Sequence, residues 1–145
     1  IGDAALTDAR MYGVLISQLP VDFAKGNTGG DGATAADIKV SFNFLSHIIV
    51  TPTAAKAAVQ IQALEKNADG SLPLMLRNDG SGIAVLNSAR WILVDASGKR
   101  VELVTDDVQL GDFSALLPHQ DREALVKAEL VAQLSGVITP SIEIP

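Results

Sequence analysis

The chain of 145 residues contains no cysteine. That excludes disulfides, thiolate catalysis and cysteine-based zinc sites. It leaves the compartment open, because exported proteins can also lack cysteine. No stretch approaches the ~18–20 apolar residues that a helix needs to cross a bilayer, so no membrane insertion is expected. No cluster of Lys or Arg is present. Eleven basic residues face 17 acidic ones, for a net charge of −6, which argues against nucleic acid or an anionic membrane as a partner. The chain does not begin with Met and shows no signal-peptide pattern, and is expected to be a mature form or a fragment. Aromatic residues are scarce, at 4%, so the spacing of Phe42 and Phe44 carries weight.

Apolar residues make up 48% of the chain and charged residues 19%, a balance for a globular protein rather than a disordered one. The length allows one ordinary domain, or one domain with part of another. The most informative stretch is Ile38–Pro52, IKVSFNFLSHIIVTP. Ile38, Val40, Phe42 and Phe44 alternate with Lys39, Ser41 and Asn43. Period two predicts a β-strand with one apolar face. The alternation then gives way to Ile48, Ile49 and Val50. Such a strand must bury its apolar face, either in its own domain or against another chain.

Residues 1–9 are small and polar and are expected as a leader or loop. Arg10–Leu19 places Tyr12, Val14 and Ile16 on one face and Met11, Gly13, Leu15 and Ser17 on the other, a strand partly apolar on both sides and expected to pack as in a sandwich core. Pro20 ends it, because proline cannot donate to a ladder. Residues 24–37 hold Gly26, Gly29, Gly30 and Gly32. They lack the Gly-Lys-Ser/Thr ending of a phosphate loop and the spaced glycines of a dinucleotide fold. A hairpin loop joining two antiparallel strands is expected there.

The connector Thr51–Lys56 is expected to mark a domain boundary, with residues 1–55 before it and 57–145 after it. Beyond it, strands are expected over 57–64, 72–77, 83–94, 100–104 and 135–144. Turns are expected at Asp69-Gly70, over 78–82 and over 95–99. Val108 and Leu110 suggest a further short strand, and 116–119 a corner. Asp121–Leu134 is ambiguous. Propensity and an Asp in capping position favour a helix, whereas Ala124 and Val126 alternate as in a strand. The surrounding strands favour a strand followed by an irregular stretch. Five to seven strands in 57–145 fit one β-sandwich. Two strands before residue 55 do not make a stable domain by themselves.

Candidate catalytic groups are few. His47 and His119 are the only histidines, and neither stands in a nucleophile-elbow context. Asp106-Asp107 and Asp121/Glu123 are carboxylate pairs without a calcium-loop pattern. Trp91, mid-strand among apolar neighbours, is expected in the core. No catalytic residue, no metal site and no cofactor is assigned. Lys39 is the one cation on the apolar strand, and is either solvated or an anchor for a carboxylate.

YGVLISQLP at 12–20, KVSFNFLSHIIVTP at 39–52 and LPLMLRNDGSGIAVLNSARW at 72–91, in that order, resemble the PapD-like periplasmic pilus-assembly chaperones of the chaperone–usher pathway. The resemblance implies an all-β chain. Residues 1–55 would be the last two strands of an incomplete first immunoglobulin-like domain, and 57–145 a second immunoglobulin-like β-sandwich. The chain would then be the C-terminal part of a longer chaperone.

The resemblance also implies a role. The alternating strand completes the fold of a pilin or coat-protein subunit by donor-strand complementation, and the complex is delivered to an outer-membrane usher in the periplasm. Ile38, Val40, Phe42 and Phe44 would enter the subunit. Lys39 would hold the subunit's C-terminal carboxylate, with an Arg from an earlier strand. His47 departs from the Pro, and Gly13 from the Arg, found in many relatives. Self-association through the exposed hairpin is a further expectation. Two other classes compete: an adhesin or pilin-like sandwich with Phe42 and Phe44 inside its core, and a small hydrolase with a histidine beside a nucleophile in a pocket.

Overall fold

The computed structural model describes residues 6–19, 21–22 and 39–145, with 21, 22 and 39 described by their backbone alone. The glycine-rich stretch 24–37 and Ile38 lie outside the described residues. The chain divides into two compact units, residues 11–49 and residues 1–10 with 50–145.

The smaller unit contains β1 (Arg10–Ser17, its first residue belonging to the larger unit), β2 (Val21–Asp22), β3 (Lys39–Val40) and β4 (Asn43–Val50, its last residue belonging to the larger unit). β1 pairs with β4, and β2 with β3. The expected single strand Ile38–Val50 is therefore two, interrupted at Ser41 and Phe42. The break lies across from Gln18, whose N–H donates to the Phe42 carbonyl at 2.8 Å. Pro20 follows two residues later and has no N–H to give.

The larger unit is an all-β sandwich, as expected. Its strands are β5 (Val59–Ala63), β6 (Leu72–Asn78), β7 (Ala84–Val85), β8 (Arg90–Asp95), β9 (Arg100–Val104), β10 (Val108–Gln109), β11 (Ala115–Leu116), β12 (Asp121–Val126) and β13 (Ile138–Glu143). One sheet runs β10-β12-β6-β5, a second β13-β8-β9, and β11 pairs with β7. The pairings are antiparallel. β6 lies between β12 and β5, so both its edges are paired, and both its faces are covered along most of its length, in keeping with the nearly continuous apolar run of LPLMLRN. Leu72, Leu74 and Leu76 of β6 meet Trp91 and Leu93 of β8, Leu103 of β9 and Ala124 and Val126 of β12 in one buried core.

Residues 83–94, expected as one strand, form two. Leu86 and Ala89 are both buried at a turn closed by the Ala89 N–H on the Leu86 carbonyl at 3.1 Å. The Thr105 hydroxyl also bonds the Leu86 carbonyl. β7 thus joins β11, while β8 joins β13 and β9. Apolar residues on both sides of the turn hide it from a periodicity argument.

The ambiguous segment 121–134 resolves as strand β12 followed by one helical turn, α1 (Ala128–Val131), rather than an irregular stretch. Register with β6 sets Ala124 opposite Leu74 and Val126 opposite Leu72, and that burial outweighs helix propensity. The turn then buries Val131, and Leu134 is buried just beyond it. Lys66 Nζ donates to the carbonyls of Val131 (2.8 Å) and Leu134 (2.6 Å), partnering acceptors that a helix end leaves open.

Asp95 ends β8 and is buried. Its Oδ1 accepts from the Ser97 N–H (2.8 Å), the Ser97 hydroxyl (2.7 Å) and the Lys99 N–H (3.0 Å), and its Oδ2 from the Ser135 N–H (3.2 Å). The Ser97 hydroxyl bond is the main cause that draws its pKa from 3.8 to about 2, with the backbone donors adding to it. Residues 6–9, expected as a leader or loop, contribute to this unit: Ala9 is buried and its N–H donates to the Ser81 carbonyl at 2.7 Å.

Candidate functional site

The β1–β4 ribbon is the candidate site. Alternation in the sequence makes it extended, and a two-stranded ribbon has no second layer of its own to cover either face. Every residue of β4 is exposed. Phe42 is 53% exposed and Phe44 59%, and their rings stack with centroids 6.2 Å apart and planes at 22°. Ile48 and Val50, spaced by two further along the strand, are exposed as well. Leu45 and Ile49, at the odd positions, are also exposed. On β1, Tyr12, Leu15 and Ile16 are exposed, so the expectation that this strand packs as in a sandwich core does not hold. A Cβ at Gly13 would stand 3.7 Å from Leu45 Cδ1, an ordinary contact, so Leu45 does not require glycine there.

Of the residues that the sequence singles out, Phe42 and Phe44 stand together. Val40 is half-buried and pairs across the ribbon with Val21, and the backbone of Lys39 pairs with that of Asp22. Between Val40 and Phe44 the ladder is interrupted, so the expected face is not one unbroken strand. Ile38 and the side chain of Lys39 lie outside the described residues. Leu15, Ile16, Leu45, Ile48 and Ile49 are exposed as well, with Leu45 and Ile49 on the face of β4 opposite to Phe44 and Ile48, and the alternation over 38–44 does not mark them. The run Ile48-Ile49-Val50 is the available signal, and it reads equally well as a buried strand end.

The surface is mostly apolar, with Tyr12, Asn43, Ser46 and His47 exposed among the apolar side chains. Its apolar side chains and the main-chain groups along the strand edges suit recognition by strand addition. Other candidates have structural partners. Trp91 is fully buried with its Nε1–H on the Thr105 hydroxyl at 3.3 Å. Asp107 accepts the Val104 N–H at 3.1 Å, and Asp121 pairs with Arg77 at 3.2 Å on the surface.

His119 Nε2 stands 3.4 Å from Asp8 Oδ2, with the His119 side chain exposed and that of Asp8 partly so. His119 lines neither of two hollows of the sandwich, of about 590 and 530 Å³, formed by described residues. Among the described residues no group of three or more His, Asp or Glu is placed to hold a metal ion, and no helix is long and apolar enough to cross a membrane. Comparison of the chain with protein families, curated proteins and solved structures finds no match.

Proposed function

We propose that this chain is a periplasmic subunit chaperone that lends its alternating strand to pilin or coat-protein subunits and passes them to an outer-membrane usher. One observation carries the reading: Phe44 of β4 and Phe42, in the break just before it, stack on each other and remain more than half exposed. The motifs at 12–20, 39–52 and 72–91 support it by resemblance. A strand of this kind binds through main-chain hydrogen bonds, and its alternate side chains fill successive pockets. Val40, Phe42 and Phe44, with Ile38 before them, are the inserting residues in this reading, and Lys39 is the anchor for the subunit's terminal carboxylate. No cofactor and no reaction step is required, because the energy comes from completing the subunit's own sheet.

The adhesin or pilin-like reading places Phe42 and Phe44 in a closed core, and their exposure weighs against it. A capture experiment tests the proposal. Pilin-like subunits are drawn down with wild-type chain and with Phe42→Asp. A charge that must enter an apolar pocket unpaired strongly disfavours binding. Capture lost in the variant while the sandwich stays folded supports the proposal. Undiminished capture refutes it.

A further inference from the structure

One short turn, Asn78–Gly82, receives the main chain on both sides of the ribbon. Before β1, the Ala9 N–H donates to the Ser81 carbonyl. After β4, the stretch 56–58 lies along the same turn. The Gly82 N–H donates to the Lys56 carbonyl and the Asp79 N–H to the Ala58 carbonyl, both at 2.9 Å. The Lys56 N–H reaches the Ser81 hydroxyl at 3.3 Å.

Asn78, fully buried, sits at the centre. Its Oδ1 accepts from the Ala58 N–H (3.1 Å) and the Gly80 N–H (3.0 Å). Its Nδ2 donates to the carbonyls of Gly82 (2.8 Å), Leu116 (3.1 Å) and Leu117 (3.2 Å). Its carbonyl accepts the His119 N–H at 2.7 Å. His119 holds φ at +60°, a region a non-glycine residue occupies at some cost, and its side chain meets Asp8, the residue before Ala9.

The approach of 56–58 to the turn is close enough to require glycine. A Cβ on Gly80 would fall on the Lys56 carbonyl and stand 2.5 Å from the Ala58 nitrogen. One on Gly82 would stand 2.8 Å from the Ala57 nitrogen. A two-stranded ribbon is marginal in water by itself. Holding the chain on both sides of it at one turn shortens the loop whose closure entropy opposes strand pairing.

We propose that the Asn78–Gly82 turn is the fastening that keeps β1 and β4 paired, with Asn78 as a positioning residue for the binding strand. Its purpose rests on the strand-lending reading, but the fastening itself is tested without a partner. Amide hydrogen exchange is measured on the whole chain as wild type, Gly80→Ala and Ala58→Pro, the last removing the N–H that Asn78 accepts. The amides of β1 and β4 should exchange roughly tenfold faster or more in both variants, while those of β6 and β8 and the near-ultraviolet band of Trp91 are retained.

Unchanged exchange in β1 and β4 overturns the proposal, as does a wild-type ribbon with no protection. If Gly80→Ala loses the Trp91 band, Ala58→Pro decides. If both lose it, the turn serves the sandwich rather than the ribbon, and the proposal is wrong. Failure of the Phe42→Asp capture experiment leaves these exchange rates unaffected, so the two ideas fail separately.

Discussion

The double variant Phe42→Ser/Phe44→Ser separates an exposed binding face from a core. Fully burying a Phe side chain is worth about 1.5–3 kcal/mol. With 53% and 59% of the two residues exposed, their present burial accounts for at most about 1.4 and 1.2 kcal/mol. That burial lies in the ribbon unit, whereas Trp91 lies in the sandwich core. Urea unfolding followed by Trp91 fluorescence should therefore give the double variant a wild-type midpoint, and Leu74→Ala, at a fully buried site, a loss of about 2–5 kcal/mol. If a partner covers the exposed parts of both rings, the double variant forfeits about 1.7–3.4 kcal/mol of binding, or roughly 15- to 250-fold in Kd. Titration calorimetry with a captured subunit measures this. A midpoint shift as large as that of Leu74→Ala would refute the reasoning, because it would put the two rings in the core that the competing sandwich reading requires.

Three other outcomes follow from the sandwich. Lys66→Ala removes charge-assisted bonds to the Val131 and Leu134 carbonyls and should lower stability by about 1.5–3 kcal/mol, read as a drop in the urea midpoint. Asp95 has a folded pKa depressed to about 2 from 3.8, so the stability it contributes is whole above its ordinary value and is lost as pH falls through about 2. Melting temperature should thus decline across that window in wild type. It should decline less steeply in Asp95→Asn, which already sets an amide against the Ser135 N–H and should melt lower at neutral pH. Ser97→Ala removes the largest cause of the depression and should move the acid limb of the same melting profile to higher pH.

Strands with a clear period and turns with clear chemistry are legible in the amino-acid sequence. β6, β8 and β9 fall where apolar runs meet Asp-Gly or Ser-Gly turns, because those turns need the positive φ seen at Gly70 and Gly98. The break at Leu86–Ala89 is not legible. Its polar pair Asn87-Ser88 sits between apolar residues, and the bond that fixes the turn comes from Thr105, distant in sequence. At 121–126 a tertiary ladder overrides local helix propensity; the alternation of Ala124 and Val126 among neighbouring strands signals the strand, but not its pairing with β6. Of the candidate site, the Phe42–Phe44 spacing is legible. The exposure of Leu15, Ile16, Leu45 and Ile49 is not, because a strand apolar on both faces looks the same whether its cover belongs to the same unit or to none.

The bond between Asp95 and Ser135 also bears on how the molecule is made. The two residues are 40 apart, and β8, which Asp95 ends, is the middle strand of its sheet. During synthesis the β8–β9 hairpin emerges with its carboxylate already seated on Ser97 and Lys99, but with one side of β8 bare. That side stays bare until β13 has left the ribosome, and non-local pairings of this kind are slow to form. For that interval the nascent chain carries an unpaired strand edge beside Trp91 and Leu93, so translation of residues 105–143 sets the least duration of the vulnerable phase, and the slow non-local pairing adds to it.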